Sequence, residues 1–360
     1  MGVTKATISE KFKLVLKSLV EISFILLAIN TVYTTIHSGV KYTIVYRVTT
    51  ITVNTILLLV RVSLLVNKNK ILKTLTKLHV FGKRHGKVRN LRNYVILTCG
   101  LCVLFPSSMS LYSIIFALND IDRFMSMLQL IGKNSTVDSK VIFAIVMTGH
   151  QFIYSIHFLV FPGMVMTLLS FMYIFFVKVF RQRLEAIRFG LLQNVSRQEV
   201  SRIWNIFTVA KSIHQDIESA VSFTSFLAFV LTFVNILNVL SSILTKFLSD
   251  KDNLQYLFSC TIFSWTVLWF VVLTLSGTQV EKIEVFIKNI RQEVISKNFG
   301  KLSEGHNDLA CLNLFNAFSD CKFQFTGWGI FEINKNLFFT ISGILITYGV
   351  LFATEVVNIT

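Results

Sequence analysis

Residues 327–356 read GWGIFEINKNLFFTISGILITYGVLFATEV. From Leu337 to Val356 the stretch carries a single charged group, Glu355, and its length of about 20 residues suffices to cross ~30 Å of hydrocarbon. At about 100° per residue, Thr340, Gly343, Thr347, Leu351, Thr354 and Asn358 share one face, with Glu355 at its edge. A stripe of small and hydroxyl residues on a spanning helix serves close packing against another helix. A carboxylate near the membrane surface on the same side points instead to a water-lined path.

The rest of the chain agrees with a membrane setting. Its 360 residues are 53% hydrophobic, with mean hydropathy +0.64, 34 phenylalanines and only two prolines. Repeated apolar runs longer than ~18 residues exclude an ordinary soluble domain and predict an all-α membrane protein. The net charge of +16 is read as basic cytoplasmic loops rather than nucleic-acid binding, because the basic residues cluster between spans. Residues 1–17 are polar and basic, and the apolar run after them is too long for a signal-peptide core, so the first span is expected to be its own insertion signal. Cysteines at 99, 102, 260, 311 and 321 fall in no loop expected outside, so no extracellular disulfide is predicted. Cys99 and Cys102 have redox-motif spacing, but at the start of an apolar helix they read as packing residues.

Seven transmembrane helices are predicted, at about 14–36, 42–66, 94–118, 141–180, 221–247, 256–275 and 337–356. Lys17 and Glu21 form an i,i+4 pair in the first, and Arg47 and Arg61, near the ends of the second, are expected to snorkel. Residues 67–92 hold nine Lys/Arg and no acid, which assigns that loop to the cytoplasm. Pro106 bends the third helix. The loop 119–139 is then outside and carries the sequon Asn134-Ser135-Thr136, a predicted glycosylation site, whereas the sequon at Asn194 is expected inside and bare. The stretch 141–180 can be one helix, or two joined at Pro162-Gly163. Seven Lys/Arg against two acids in 178–211 require one crossing, hence one long kinked helix. Residues 278–325 balance six basic and six acidic groups and read as amphipathic, as in Val280 to Ile295. The predicted topology has a cytoplasmic N-terminus and an extracellular C-terminus.

Residues 329–355 also resemble the C-terminal signature of the invertebrate (arthropod) gustatory receptor family, relatives of the insect odorant receptors. That signature is Thr-Tyr, five apolar residues and Gln-Phe, after a Gly-x-Phe-x-x-(Asn/Asp)-x-x-Leu lead-in. Thr347-Tyr348 and the apolar run 349–353 match, and Gly329, Phe331, Asn334 and Leu337 resemble the lead-in. Thr354-Glu355 stands where the family has Gln-Phe. The resemblance implies a multi-pass plasma-membrane chemoreceptor, a ligand-gated non-selective cation channel of four identical or mixed subunits. It implies a cytoplasmic helical anchor, here 278–334 with extensions of the fourth to sixth helices, and a pore and gate from four last helices, here Thr347, Leu351, Thr354 and Glu355. Its ligand would be a small tastant or metabolite.

Polar and aromatic groups collect in the outer halves of several predicted helices: Ser107 to Ser113 with Tyr112, then His150, Gln151, Tyr154 and His157, then Asn235 and Asn238, then Trp265 and Trp269. Interhelical hydrogen bonding explains each singly; together, at one depth, they can line a small-ligand pocket, which the resemblance also places there. No catalytic constellation is found, since His79, His85 and His306 lack ligand-spaced partners and there is no Gly-rich phosphate loop. Neither an enzyme nor a cofactor is expected. A non-conducting auxiliary subunit or scaffold of the same fold is the alternative. A secondary transporter is disfavoured by the lack of internal repeats.

Overall fold

The computed structural model describes residues 8–37, 44–83, 89–119, 137–193, 197–247, 253–298 and 322–357. It is nearly all-helical. The helices are α1 (Ile8–His37), α2 (Ile44–Lys83), α3 (Arg89–Asn119), α4 (Val137–Ser155), α5 (Phe161–Gln193), α6 (Arg197–Phe247), α7 (Asn253–Asn298) and α8 (Lys335–Val357). A five-residue π segment, Ile156–Val160, joins α4 to α5, and a two-stranded hairpin, β1 (Thr326–Gly327) and β2 (Phe331–Glu332), precedes α8. Among the described residues, six helical stretches are long and apolar enough to cross a membrane, and α8 adds a shorter apolar helix.

Several helices overrun the predicted spans. α2 continues to Lys83 through the segment read as a basic loop, α6 starts at Arg197 rather than near 221, and α7 runs on to Asn298. The reason is a change of pattern without a change of period. Beyond each apolar run, buried residues recur every three or four positions: Ile71, Thr74, Leu78 and Phe81 in α2; Ile203, Phe207, Ala210, Ile213 and Ile217 in α6; Ile283, Ile287, Ile290 and Val294 in α7. The basic residues between them, such as Lys68, Lys70 and Lys73, stay exposed. Charge ends a bilayer span but not an amphipathic helix. With 51 residues, α6 is about 75 Å long, more than twice the hydrocarbon thickness.

These continuations pack with α5 into a four-helix bundle around Phe176 and Phe180, joined there by Phe323 and Phe325 from the segment before the hairpin. Arg183 donates to the Phe81 carbonyl at 2.6 Å and lies 4.0 Å over the Phe81 ring, while Arg188–Glu293 (2.7 Å) and Lys77–Asp216 tie the rim. α1 and α3, in contrast, bury little of their surface in the chain.

The stretch 141–180 lies inside one helical run from Val137 to Gln193. The expected disturbance at Pro162 takes the form of π winding just before it, with the Phe161 N–H bonded to the Ile156 carbonyl. Pro162 has no N–H to continue the ladder, and the wider turn absorbs the defect. Arg61 does not snorkel. It is 8% exposed, paired with Glu21 at 3.0 Å and sandwiched between the Phe24 and Phe161 rings at 4.0 and 4.1 Å. Glu21 thus reaches across to α2; the side chain of Lys17, its expected i,i+4 partner, lies outside the described residues. Cys102 is buried against Thr167, as a packing residue.

Candidate ligand cavity and its link to the last helix

A cavity of about 30 Å³ sits where α2, the π segment, α5, α6 and α7 meet. Val53 and Leu57 come from α2, Phe158, Pro162 and Met166 from the π segment and α5, Leu231, Thr232 and Asn235 from α6, and Trp265, Thr266 and Trp269 from α7. Asn235 donates to the Thr266 hydroxyl at 2.8 Å, which itself donates to the Ile262 carbonyl. Trp265 and Trp269 stand edge to face with centroids 5.4 Å apart, and Phe105 of α3 stacks on Trp265 at 4.8 Å. The walls are mostly apolar, with a few fixed polar groups, as small-molecule sites require.

Of the eight residues proposed for the pocket, the structure brings Asn235, Trp265 and Trp269 to this cavity. Asn238 instead ties α6 to α2, its side-chain oxygen accepting from Thr49 at 2.8 Å and Thr50 at 3.1 Å. His157 is fully buried, 3.4 Å from the Arg61 guanidinium and stacked on Phe24. Tyr154 packs on Phe158 at 4.5 Å, while His150 and Tyr112 lie on exposed faces. Thr232, Thr266, Met166 and Phe158 were not singled out by sequence. In helices apolar on every side nothing marks which face lines a void, although Thr266 beside Trp265 and Thr232 three residues before Asn235 carried a weak polar signal.

The lead-in residues have defined structural roles. Trp328 (φ 54) and Gly329 (φ 69) form the left-handed pair of a tight turn, closed by the Ile330 N–H on the Gly327 carbonyl at 2.9 Å. A non-glycine residue there costs about 1–2 kcal/mol. Offsetting it, the Trp328 N–H bonds to Ser222 of α6 (Oγ 2.8 Å), and its ring packs on Phe223 and Phe226. Phe331 folds over Gly327, where a Cβ would lie 2.3 Å from its ring, and meets Phe229 edge-on. Glu218 clamps the strand by accepting the Thr326 N–H at 3.1 Å and the Thr326 hydroxyl at 2.5 Å. Asn334 caps α8, its side-chain oxygen accepting the Leu337 N–H at 3.0 Å. Ile333 presses onto Gly277 of α7. The hairpin is therefore seated on α6 and α7 and leads directly into α8.

α8 itself touches the core through Leu337, Phe338 and Ile341, with Phe338 stacked on Phe270 at 5.4 Å. Its small, hydroxyl-bearing face is turned away: Thr340, Gly343 and Thr347 are exposed, nothing among the described residues lies within 4 Å of a Cβ built at Gly343, and the Thr347 hydroxyl donates back to the Gly343 carbonyl at 2.9 Å. Leu351 and Tyr348 are also exposed. Among the described residues, Thr340, Gly343 and Thr347 thus do not pack against another helix. The side chains of Thr354 and Glu355, and all of Asn134 and 299–321, lie outside the described residues. Among the described residues no group of three or more His, Cys, Asp or Glu could hold a metal ion.

No protein-family model and no curated protein matches the chain. Solved structures do. The insect olfactory receptor OR5 from Machilis hrabei in complex with eugenol is similar with a TM-score of 0.66 at 14% identity, covering 100% of this chain and 93% of that one. The structure of the same receptor described without eugenol gives 0.65 at 15% identity, covering 98% and 92%. At such identity the likeness is one of fold, and it extends over the whole chain: this protein has the multi-pass, helical fold of an insect olfactory receptor.

Proposed function

We propose that this protein is a gustatory-receptor-like chemoreceptor of the plasma membrane, a ligand-gated, non-selective cation channel of four subunits. A small molecule enters the cavity between α2, α5, α6 and α7, and the α8 helices of four copies surround the pore. The N-terminus is cytoplasmic, the C-terminus extracellular and Asn134 glycosylated. The carrying observation is that α6 and α7 hold both ends of the device. Leu231, Thr232 and Asn235 of α6 and Trp265, Thr266 and Trp269 of α7 line the cavity, and Ser222, Phe229 and Gly277 of the same helices seat the hairpin that leads into α8. A ligand that binds better when α6 and α7 separate would shift that seat, and α8 with it. The exposed Thr340/Gly343/Thr347 face supports contact with other copies or with a water path. The likeness to a receptor solved with eugenol supports a small organic ligand.

The departure at Thr354-Glu355 favours a second reading, a non-conducting auxiliary subunit. Whole-cell recording from the protein expressed alone, with a broad ligand panel, separates the two. Ligand-evoked cation current is expected. Surface-expressed protein that stays silent alone, yet alters the current of a conducting relative, would favour the auxiliary role.

A further inference from the structure

We infer that the cavity selects an uncharged, largely apolar molecule bearing a hydrogen-bond acceptor, such as a carbonyl or ether oxygen, and that the indole N–H groups of Trp265 and Trp269 read that acceptor. The inference rests on the ligand-gated reading above and specifies its ligand chemistry. Trp265 and Trp269 are 7% and 6% exposed, and neither indole nitrogen has a hydrogen-bond partner among the described residues. Two unpaired donors in one apolar site are costly unless something accepts from them.

Trp269 turns its indole nitrogen, and Trp265 its ring carbon Cζ2, toward Gly163. A Cβ built on Gly163 would lie 3.4 Å from Trp269 Nε1 and 3.3 Å from Trp265 Cζ2, the ring carbon on the nitrogen side. The absence of a side chain at Gly163, next to the cavity-lining Pro162, leaves room for both rings, with Cys102 Sγ the nearest atom to that built Cβ at 3.1 Å. The other polar lining groups already direct donors into the protein: Thr232 to the Ala228 carbonyl, Thr266 to the Ile262 carbonyl, Asn235 to Thr266. Among the described residues no ionisable side chain lines the cavity, so a charged ligand would lose its hydration without a counter-charge. The volume of about 30 Å³ accepts one water-sized group. An oxygen fits as it stands, and the apolar body needs the wall to yield, with the flexible Met166 placed to do so.

The test uses the assembled protein in lipid nanodiscs and three probes of similar size: acetophenone, ethylbenzene, which lacks the acceptor, and phenylacetate, which is charged. Acetophenone is expected to bind roughly 5–30-fold tighter than ethylbenzene, and phenylacetate least. Trp265→Phe/Trp269→Phe keeps an aromatic ring at each position but removes the donors together with the smaller indole ring. It should bring the acetophenone-to-ethylbenzene ratio close to one. If the double variant fails to fold, each single variant should reduce the ratio by part. Equal binding of acetophenone and ethylbenzene in wild type, a ratio that survives the double variant, or preference for phenylacetate would overturn the acceptor inference. In those cases the ligand-gated reading stands if Met166→Trp, which fills the cavity, abolishes binding. No binding by any probe, or binding that Met166→Trp leaves intact, overturns both.

Discussion

Gly277→Ala puts the seat of the hairpin to a test of sign. In the interior of a helix, replacing glycine by alanine normally stabilises by about 0.5–1 kcal/mol. At Gly277 the new Cβ would lie 2.3 Å from Ile333 Cγ2, 2.9 Å from Ile333 Cβ and 3.2 Å from the Ile333 carbonyl oxygen. Rotating Ile333 relieves the first contact but not the other two, so α7 and the hairpin must separate. Overpacking of this kind costs about 1–3 kcal/mol. Net destabilisation of roughly 1–2 kcal/mol is therefore expected, weakening the docked hairpin about 5–30-fold. Melting of the purified protein at fixed concentration and protease susceptibility near residues 322–334 measure it. Gly100→Ala, where nothing lies within 4 Å of the built Cβ, is the control and should be neutral or stabilising. Combined with Ile333→Ala, which frees space at the seat, Gly277→Ala should cost less than the sum of the two single changes. A melting temperature that rises for Gly277→Ala as it does for Gly100→Ala would refute the close seating of Ile333 on α7.

Glu218→Gln leaves only one side-chain oxygen to accept from both the N–H and the hydroxyl of Thr326; a loss of about 1–2 kcal/mol is expected, and Thr326→Val on top should add little. Glu21→Gln strips the buried Arg61 of its carboxylate partner and should destabilise by about 1–3 kcal/mol, discounted because Glu21 is partly exposed. Arg61→Met in the same background should recover most of that loss, and additive losses would argue against the pair. For topology, an N-terminal tag is expected to be reachable only after permeabilisation and a C-terminal tag without it; Asn134→Gln should remove a glycan and Asn194→Gln change nothing. In the channel reading Glu355 forms a ring of negative charge at the outer mouth, so Glu355→Gln should lower cation-over-anion preference in reversal-potential measurements; unchanged selectivity would remove this carboxylate from the conduction path.

The membrane class and the positions of the apolar runs were legible in the sequence because hydrophobic length is a local property, set by a bilayer whose thickness is known in advance. The single long run over 141–180 was legible for a related reason: clustered charge on its far side leaves no place for a second crossing. Helix ends were not legible. Lys68, Lys70 and Lys73 read as a loop, whereas the structure carries α2 through them on the buried spacing of Ile71, Thr74 and Leu78, a spacing that stabilises only against partners supplied by α5, α6 and α7.

The lead-in residues Gly329, Phe331, Asn334 and Leu337 stood out in the sequence as a pattern, but their reasons are tertiary. Gly329 takes a left-handed turn, Phe331 covers Gly327, and Asn334 caps α8. The clamp at Glu218 lies more than a hundred residues away from Thr326 along the chain, beyond the reach of any local rule. Arg61 is the sharpest contrast. Its place near the end of an apolar run predicts a side chain reaching for water. Packing instead encloses it between Phe24 and Phe161 with Glu21 beside it. The pocket divides in the same way. Sequence could name indoles and amides at one depth, but only the packing of four helices decided that Asn235, Trp265 and Trp269 share a void while Asn238, Tyr154 and His157 face other partners. Direction around a uniformly apolar helix leaves no trace in composition; it is set where the neighbouring helices come to rest.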